Sequence, residues 1–137
     1  MVKKTFKELQ ELDVLVGALY KRNTELQKGK FGYAYKRFVD TNYVKILKEY
    51  QHKINDARID FALEDPITKE ILKDKEDSRG FKYSKDGLKK VILKENEITD
   101  EFNPKEVEID PYFISEASLP ELSDEEREQL IGVLIKK

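Results

Sequence analysis

The chain of 137 residues contains no cysteine. That excludes a disulfide scaffold, a thiolate nucleophile and every zinc site built on sulfur. It contains a single histidine, His52. No stretch approaches the roughly eighteen consecutive apolar residues of a membrane span. The basic start Met1-Val2-Lys3-Lys4 has no apolar run behind it, so no signal peptide is expected. Neither sign of charge dominates: 26 Lys and Arg against 28 Asp and Glu leave a net charge of −2. Global electrostatics therefore points to neither nucleic acid nor a membrane as partner. Arginine is scarce, five residues against 21 lysines, which weakens any expectation of bidentate phosphate recognition. No P-loop, Rossmann glycine pattern, nucleophile elbow or His-Glu-x-x-His occurs, and the many carboxylates pair with no recognisable catalytic partner. These absences describe a protein that is not an enzyme and uses no metal or cofactor.

What is present is mostly helix. Tyr35, Val39, Tyr43, Ile46, Tyr50, Ile54, Ala57 and Phe61 recur every three or four residues, so one long amphipathic helix is expected over residues 33–63. At the rise of an α-helix it would span about 45 Å. Glu64-Asp65-Pro66 ends it, because proline disfavours helical backbone at the residue before it. Upstream, Thr5 and Glu8 form a capping box. A first helix should run from there to about Lys28 on a stripe of Leu9, Leu12, Leu15, Val16, Leu19 and Leu26. Gly17 inside it fits either a close approach by a neighbouring helix or an exposed, tolerated glycine. Gly29 is the expected left-handed stop. Residues 5–63 thus read as an antiparallel helical hairpin.

The remainder, 66–137, reads as a small α+β part of the same single domain, 1–137. Residues 67–72 and 81–83 are expected to be two short strands around the charged loop Asp74–Gly80. Ser84 opens a helix of about twelve residues with Leu88, Val91 and Ile92 inward. Glu106-Val107-Glu108-Ile109 alternates as a half-buried strand does, and should join the same sheet. Ser123 and Glu126 make a second capping box, before a last helix burying Leu130, Ile131 and Leu134. The fold class is α+β, mainly helical: a long hairpin, a small antiparallel sheet and two short helices.

Two groups of residues could carry chemistry. His52 forms a column with Asp56, Asp60 and Glu64 at four-residue steps, a spacing that can chelate a divalent ion. A solvated polar face uses the same spacing, and no metal is expected there. The second is the segment Lys28-Gly29-Lys30-Phe31-Gly32-Tyr33-Ala34-Tyr35-Lys36-Arg37-Phe38. Two glycines stand where a helix begins, and the free amides and dipole of a helix start attract anions. Lys28, Lys30, Tyr33, Lys36 and Arg37 would then bind an anion or a nucleotide, with rings available for stacking. The alternative is that the aromatics cap the hairpin core while the lysines keep its tip soluble. Lys89, Lys90 and Lys94 present the same choice.

Several elements occur in a familiar order. Lys30 to Ala34 forms a Lys-x-x-Tyr-Ala element after a helical N-terminus. A long helix rich in Lys, Glu and Tyr follows, then an acidic loop, then Val107-Glu108-Ile109-Asp110-Pro111. Leu119-Pro120-Glu121-Leu122-Ser123 leads into a short apolar helix. In this order the chain resembles a family of small uncharacterised proteins, a domain of unknown function, encoded by tailed bacteriophages and prophages, often among late structural genes. It departs from that pattern at Arg37-Phe38, where a Lys-Asn pair is usual, and in the loop around Asp74. The resemblance implies a bacteriophage context, in the host cytoplasm during infection or in the virion, and brings no catalytic residue with it.

Two functions follow as expectations. The first is a structural or virion assembly protein working by protein–protein contacts. Its partners would be other phage proteins or its own copies in an oligomer, because the long helix has more apolar face than its hairpin partner can cover. The second is a phage protein that counters host defence by binding a nucleotide signal or a host protein through the basic tip. Membrane and nucleic-acid partners are not favoured.

Overall fold

The computed structural model describes residues 2–39 and 42–136. They form a mainly helical α+β fold. In order come β1 (Val2–Thr5), α1 (Phe6–Arg22), α2 (Lys30–Val39), α3 (Asn42–Phe61), α4 (Lys85–Phe102), β2 (Glu106–Ile109) and α5 (Asp124–Leu130). The chain divides into two compact units. One is Met1–Ile46 with Asn103–Lys137, and the other is Leu47–Phe102. The division falls inside α3, whereas the sequence pattern separates a hairpin of 5–63 from a remainder of 66–137. The long helix expected over 33–63 is described as α2 and α3, and its passage through Asp40 and Thr41 lies outside the described residues.

In the first unit α1 begins at the expected capping box, with the Glu8 amide donating to the Thr5 hydroxyl at 3.2 Å and Glu8 accepting from the Thr5 amide at 3.0 Å. Its stripe of Phe6, Leu9, Leu12, Val16 and Leu19 is buried. The helix stops at Arg22, well before Lys28. Asn23 is the reason: its side-chain amide donates to the Leu19 carbonyl at 2.8 Å, and Gln27 does the same for Tyr20 at 2.9 Å. The Tyr20 carbonyl, which the helix end leaves without a helical partner, is thus satisfied by Gln27, and the Leu19 carbonyl accepts from both the backbone N–H and the side chain of Asn23, without any left-handed residue. Gly29 accordingly has an ordinary backbone, and the left-handed glycines are Gly80 and Gly132.

α2 runs back along α1. Phe6 and Tyr43 lie 6.2 Å apart, Tyr20 and Tyr35 4.9 Å apart. A Cβ at Gly17 would sit 3.2 Å from the Tyr35 hydroxyl, so close approach explains that glycine. Asp13 accepts from the hydroxyls of Tyr35 at 3.3 Å and Tyr43 at 3.1 Å. Burial, and then the Asp13 charge, push the Tyr43 hydroxyl pKa strongly upward, so it stays protonated and donates.

The alternation at Glu106–Ile109 is a strand with Val107 and Ile109 buried. Its partner differs from the one expected. β2 pairs antiparallel with β1, Val2 facing Ile109 and Thr5 facing Glu106. The middle of the chain supplies no strand to this sheet, and the expected strands at 67–72 and 81–83 reduce to the bridges Glu64↔Ile71 and Lys73↔Phe81. Asp65 prevents the first of them: its carboxylate accepts from the amides of Ile67 at 2.8 Å and Thr68 at 2.9 Å. Lys69 is then left-handed, with φ of 65°. A turn occupies the place where an extended run was expected.

α5 starts at the second capping box, where the Ser123 hydroxyl accepts from the Glu126 amide at 3.2 Å. It ends at Leu130, and Gly132 turns the chain so that Val133 and Leu134 are buried while Ile131 is exposed. The expected burial of Ile131 is thus corrected; the buried neighbour is Val133.

In the second unit α3 pairs with α4, which is longer than the dozen residues expected. Ala57, Val91, Ile98 and Phe102 are its buried apolar side chains among the described residues. Ile92, expected inward, is exposed. The buried face of α4 instead continues through Ile98 and Phe102, seven and eleven residues beyond Val91, as helical periodicity requires.

Candidate functional site

The basic–aromatic segment lies at the start of α2, and the helix begins one residue after Gly29, at Lys30. Gly32 is therefore inside the first turn, not before it, and it is buried. A Cβ there would lie 1.9 Å from the Gln27 carbonyl oxygen, a backbone atom. The glycine admits the incoming chain against the helix, so it is not free to cradle an anion.

Lys28, Lys30 and Tyr33 do come together. With Gly29 and Tyr112 they line an open, shallow cleft of about 480 Å³. Tyr33 is 53% exposed and meets Tyr112 edge to face, ring centroids 4.9 Å apart and planes at 83°. Tyr112 arrives from β2. Arg37 Nη2 pairs with the Asp110 carboxylate at 2.6 Å, and its Nε donates to the Asp110 carbonyl oxygen at 3.2 Å. The Arg37 guanidinium also lies 5.9 Å from the Tyr112 ring centroid, within reach of a cation–π contact. The Asp110 carboxylate, and after it the Tyr33 hydroxyl, hold the Arg37 pKa above its ordinary value. Asn42 donates to the Glu108 carbonyl at 2.9 Å, fixing the strand that delivers Asp110.

The five residues singled out from the sequence therefore divide. Lys28, Lys30 and Tyr33 line the cleft; Arg37 is committed to Asp110 and orders Tyr112; Lys36 is exposed and is not a lining residue. Among the described residues Lys28, Lys30 and Lys36 carry no ion pair. Phe31 and Phe38 are buried, as a cap to the hairpin core requires, so the core and cleft roles are filled by different aromatics of one segment. Sequence reasoning missed Tyr112 and Asp110. The only local signal for them is that Asp110-Pro111 ends a strand with an aromatic directly behind it.

Of the other sequence candidates, Asp56, Asp60 and Lys94 line one open depression of about 230 Å³ with Lys53 and Glu101, and His52 is not among its lining residues. His52, Asp56, Asp60 and Glu64 are exposed along α3 and just after it. Among the described residues no group of three or more His, Asp or Glu is placed to hold a metal ion. Lys90 pairs with Asp86 at 3.1 Å and Lys94 with Glu97 at 3.5 Å, both within α4. No described helix is long and apolar enough to cross a membrane.

The second unit holds a partly buried charge cluster. Glu95, its side chain 13% exposed, accepts from Arg58 Nε at 2.7 Å and from Arg79 Nε at 2.9 Å. Burial raises the Glu95 pKa, but the two guanidiniums outweigh that and hold it below its ordinary value. Each of its two oxygens is engaged by one of these arginines. Among the described residues no buried side-chain polar atom lacks a partner.

Comparison of the chain with protein-family models, with curated proteins and with solved structures finds no match.

Proposed function

We propose that this protein works without catalysis, through protein–protein contact, as a structural or assembly component of a bacteriophage particle. The observation that carries the contact function is the pre-ordered cluster of exposed Tyr33 with half-buried Tyr112 and Arg37, flanked by Lys28 and Lys30. Tyrosine and arginine are the residue types that dominate binding energy at protein interfaces. A ring pair already held by Arg37 and Asp110 loses little side-chain entropy on contact. The cleft is open and shallow, whereas small-molecule sites bury most of their ligand. That form suits a protein surface better than a nucleotide. The perturbed groups are accounted for by helix caps, the Asp65 turn, ion pairs, and the burial of Tyr35, Tyr43 and Tyr83 with the Asp13 hydrogen bonds, which gives no support to a poised acid, base or nucleophile. The phage context rests on the resemblance carried by Lys30–Ala34 and Val107–Pro111.

A second reading, a host-defence antagonist that captures a nucleotide signal, is favoured by one observation: Lys28 and Lys30 stand unpaired beside an exposed ring. Two measurements separate the readings. Mass spectrometry of purified virions should detect the chain, and calorimetric titration with cyclic nucleotides should give no heat. Absence from virions, together with nucleotide binding lost in Lys28→Ala/Lys30→Ala, would establish the second reading instead.

A further inference from the structure

The first unit also carries a surface complementary to the basic–aromatic cleft. Glu8, Glu11 and Glu128 stand around Leu12 and Ile131 in an open cleft of about 560 Å³, with Lys4 at its edge. Glu125 and Glu128 continue the acidic surface into a neighbouring depression of about 380 Å³. Glu11, Glu125 and Glu128 are exposed and, among the described residues, carry no ion pair. The apolar side chains lining the cleft are Leu12 and Ile131, of which Ile131 is 40% exposed.

We infer that the basic–aromatic tip of one copy seats in the Glu11–Glu128 cleft of a second copy, joining the chains head to tail. This rests on the protein-contact function proposed above. The argument is one of complementary chemistry on a single unit. A lysine side chain is an apolar stem carrying a charged head, and it packs best where carboxylates surround an apolar floor. Lys28 and Lys30 offer two such stems and heads, and the cleft offers Leu12 and Ile131 beneath unpaired carboxylates. Tyr33, 53% exposed, is the exposed ring at the tip, and Ile131, 40% exposed, is uncovered apolar surface on the receiving side. Opposed potentials fix the orientation of such a contact and reject tip-to-tip and cleft-to-cleft pairing, where like charges meet. Because the two surfaces differ, the contact is not self-complementary, and repetition closes a ring or extends a filament.

The test uses the full chain and two charge reversals: Lys28→Glu/Lys30→Glu at the tip and Glu11→Lys/Glu128→Lys at the cleft. Sedimentation velocity should show the unaltered chain associating with rising concentration, and less so in high salt. Each variant alone places like charges at every tip–cleft contact, and its association constant should fall about tenfold or more. Circular dichroism should show both folded. An equal mixture of the two variants pairs opposite charges again and should recover association. An unaltered chain that stays monomeric overturns the proposal, as does a variant that associates like the unaltered chain or a mixture that stays apart. A monomeric chain still found in virions would remove self-association while leaving the protein-contact function standing. A monomer absent from virions would remove both.

Discussion

The two units are built on different terms. The first buries a full set of large apolar side chains, among them Phe6, Leu9, Leu19, Phe31, Tyr43 and Leu130, each at 1% exposure or less. The second buries Ala57, Val91, Ile98 and Phe102, and ties α3 to α4 with polar links. Besides the Glu95 pairs, these are Tyr50 with Thr99 at 2.9 Å and Lys53 with Glu101 at 3.3 Å. Gly87 contributes by absence, since a Cβ there would lie 3.2 Å from the Phe61 carbonyl oxygen. Apolar burial is non-directional and scales with area, whereas a charge cluster stabilises only in one geometry and one range of pH. The first unit should therefore be the more stable. Its surplus of rigidity is also where the exposed tip cluster is mounted, as a preformed contact surface requires.

The largest effect expected is at Phe6, which is fully buried at the junction of β1 and α1. Phe6→Ala should cost about 3–5 kcal/mol, read from chemical denaturation. A cost near zero would show that the apolar core does not carry this unit. Gly32→Ala comes next. The added methyl meets a backbone carbonyl that cannot rotate away, and about 3 kcal/mol of destabilisation is expected. Hydrogen exchange should show the loss concentrated in the first unit; tolerance of alanine would mean the Gln27–Gly32 approach is looser than described. The smallest of the three, and the one that sharpens the contrast, is Glu95→Gln. It leaves two guanidiniums without their carboxylate and should cost about 1–3 kcal/mol, confined to residues 47–102.

The same carboxylate gives the pH dependence its sign. Its folded pKa lies below the ordinary value of 4.5. Its contribution is therefore complete above that value and is lost as pH falls through the lower folded one. Acid should remove this contribution from 47–102, and Glu95→Gln should reduce the acid response of that unit while leaving the response of the first unit, where Glu8 and Glu126 are also held low by their caps, unchanged. An acid response of 47–102 that Glu95→Gln leaves unaltered would break the comparison.

Local chemistry was legible where neighbours in sequence are neighbours in space. Both capping boxes, the α1 stripe and the alternation at 106–109 were read from residues a few positions apart. Lys28, Lys30 and Tyr33 were found as a cluster for the same reason, since one turn of chain holds them together. The failures share a different cause. The expected strands at 67–72 and 81–83 lost to side-chain hydrogen bonding by Asp65, a local competitor that hydrophobic patterning does not weigh. The early stop of α1 came from the side chains of Asn23 and Gln27, which took up the helix-end carbonyls before the glycine did.

By itself the sequence determined the helical class, the starts of α1, α4 and α5, the alternating strand and the basic–aromatic segment, because each depends on backbone preference and periodicity within one element. Only the tertiary structure decided that β2 pairs with β1, that α3 passes from one compact unit into the other, and that Gly32 serves packing. It also decided that Tyr112 and Asp110 complete the tip. The strand pairing and the completed tip depend on contacts between residues about 70 or more positions apart along the chain (Arg37 and Asp110 are 73 apart), whereas Gly32 packs locally against Gln27. Which distant surfaces meet is set by the total burial and charge pairing they achieve together, a property no single segment possesses.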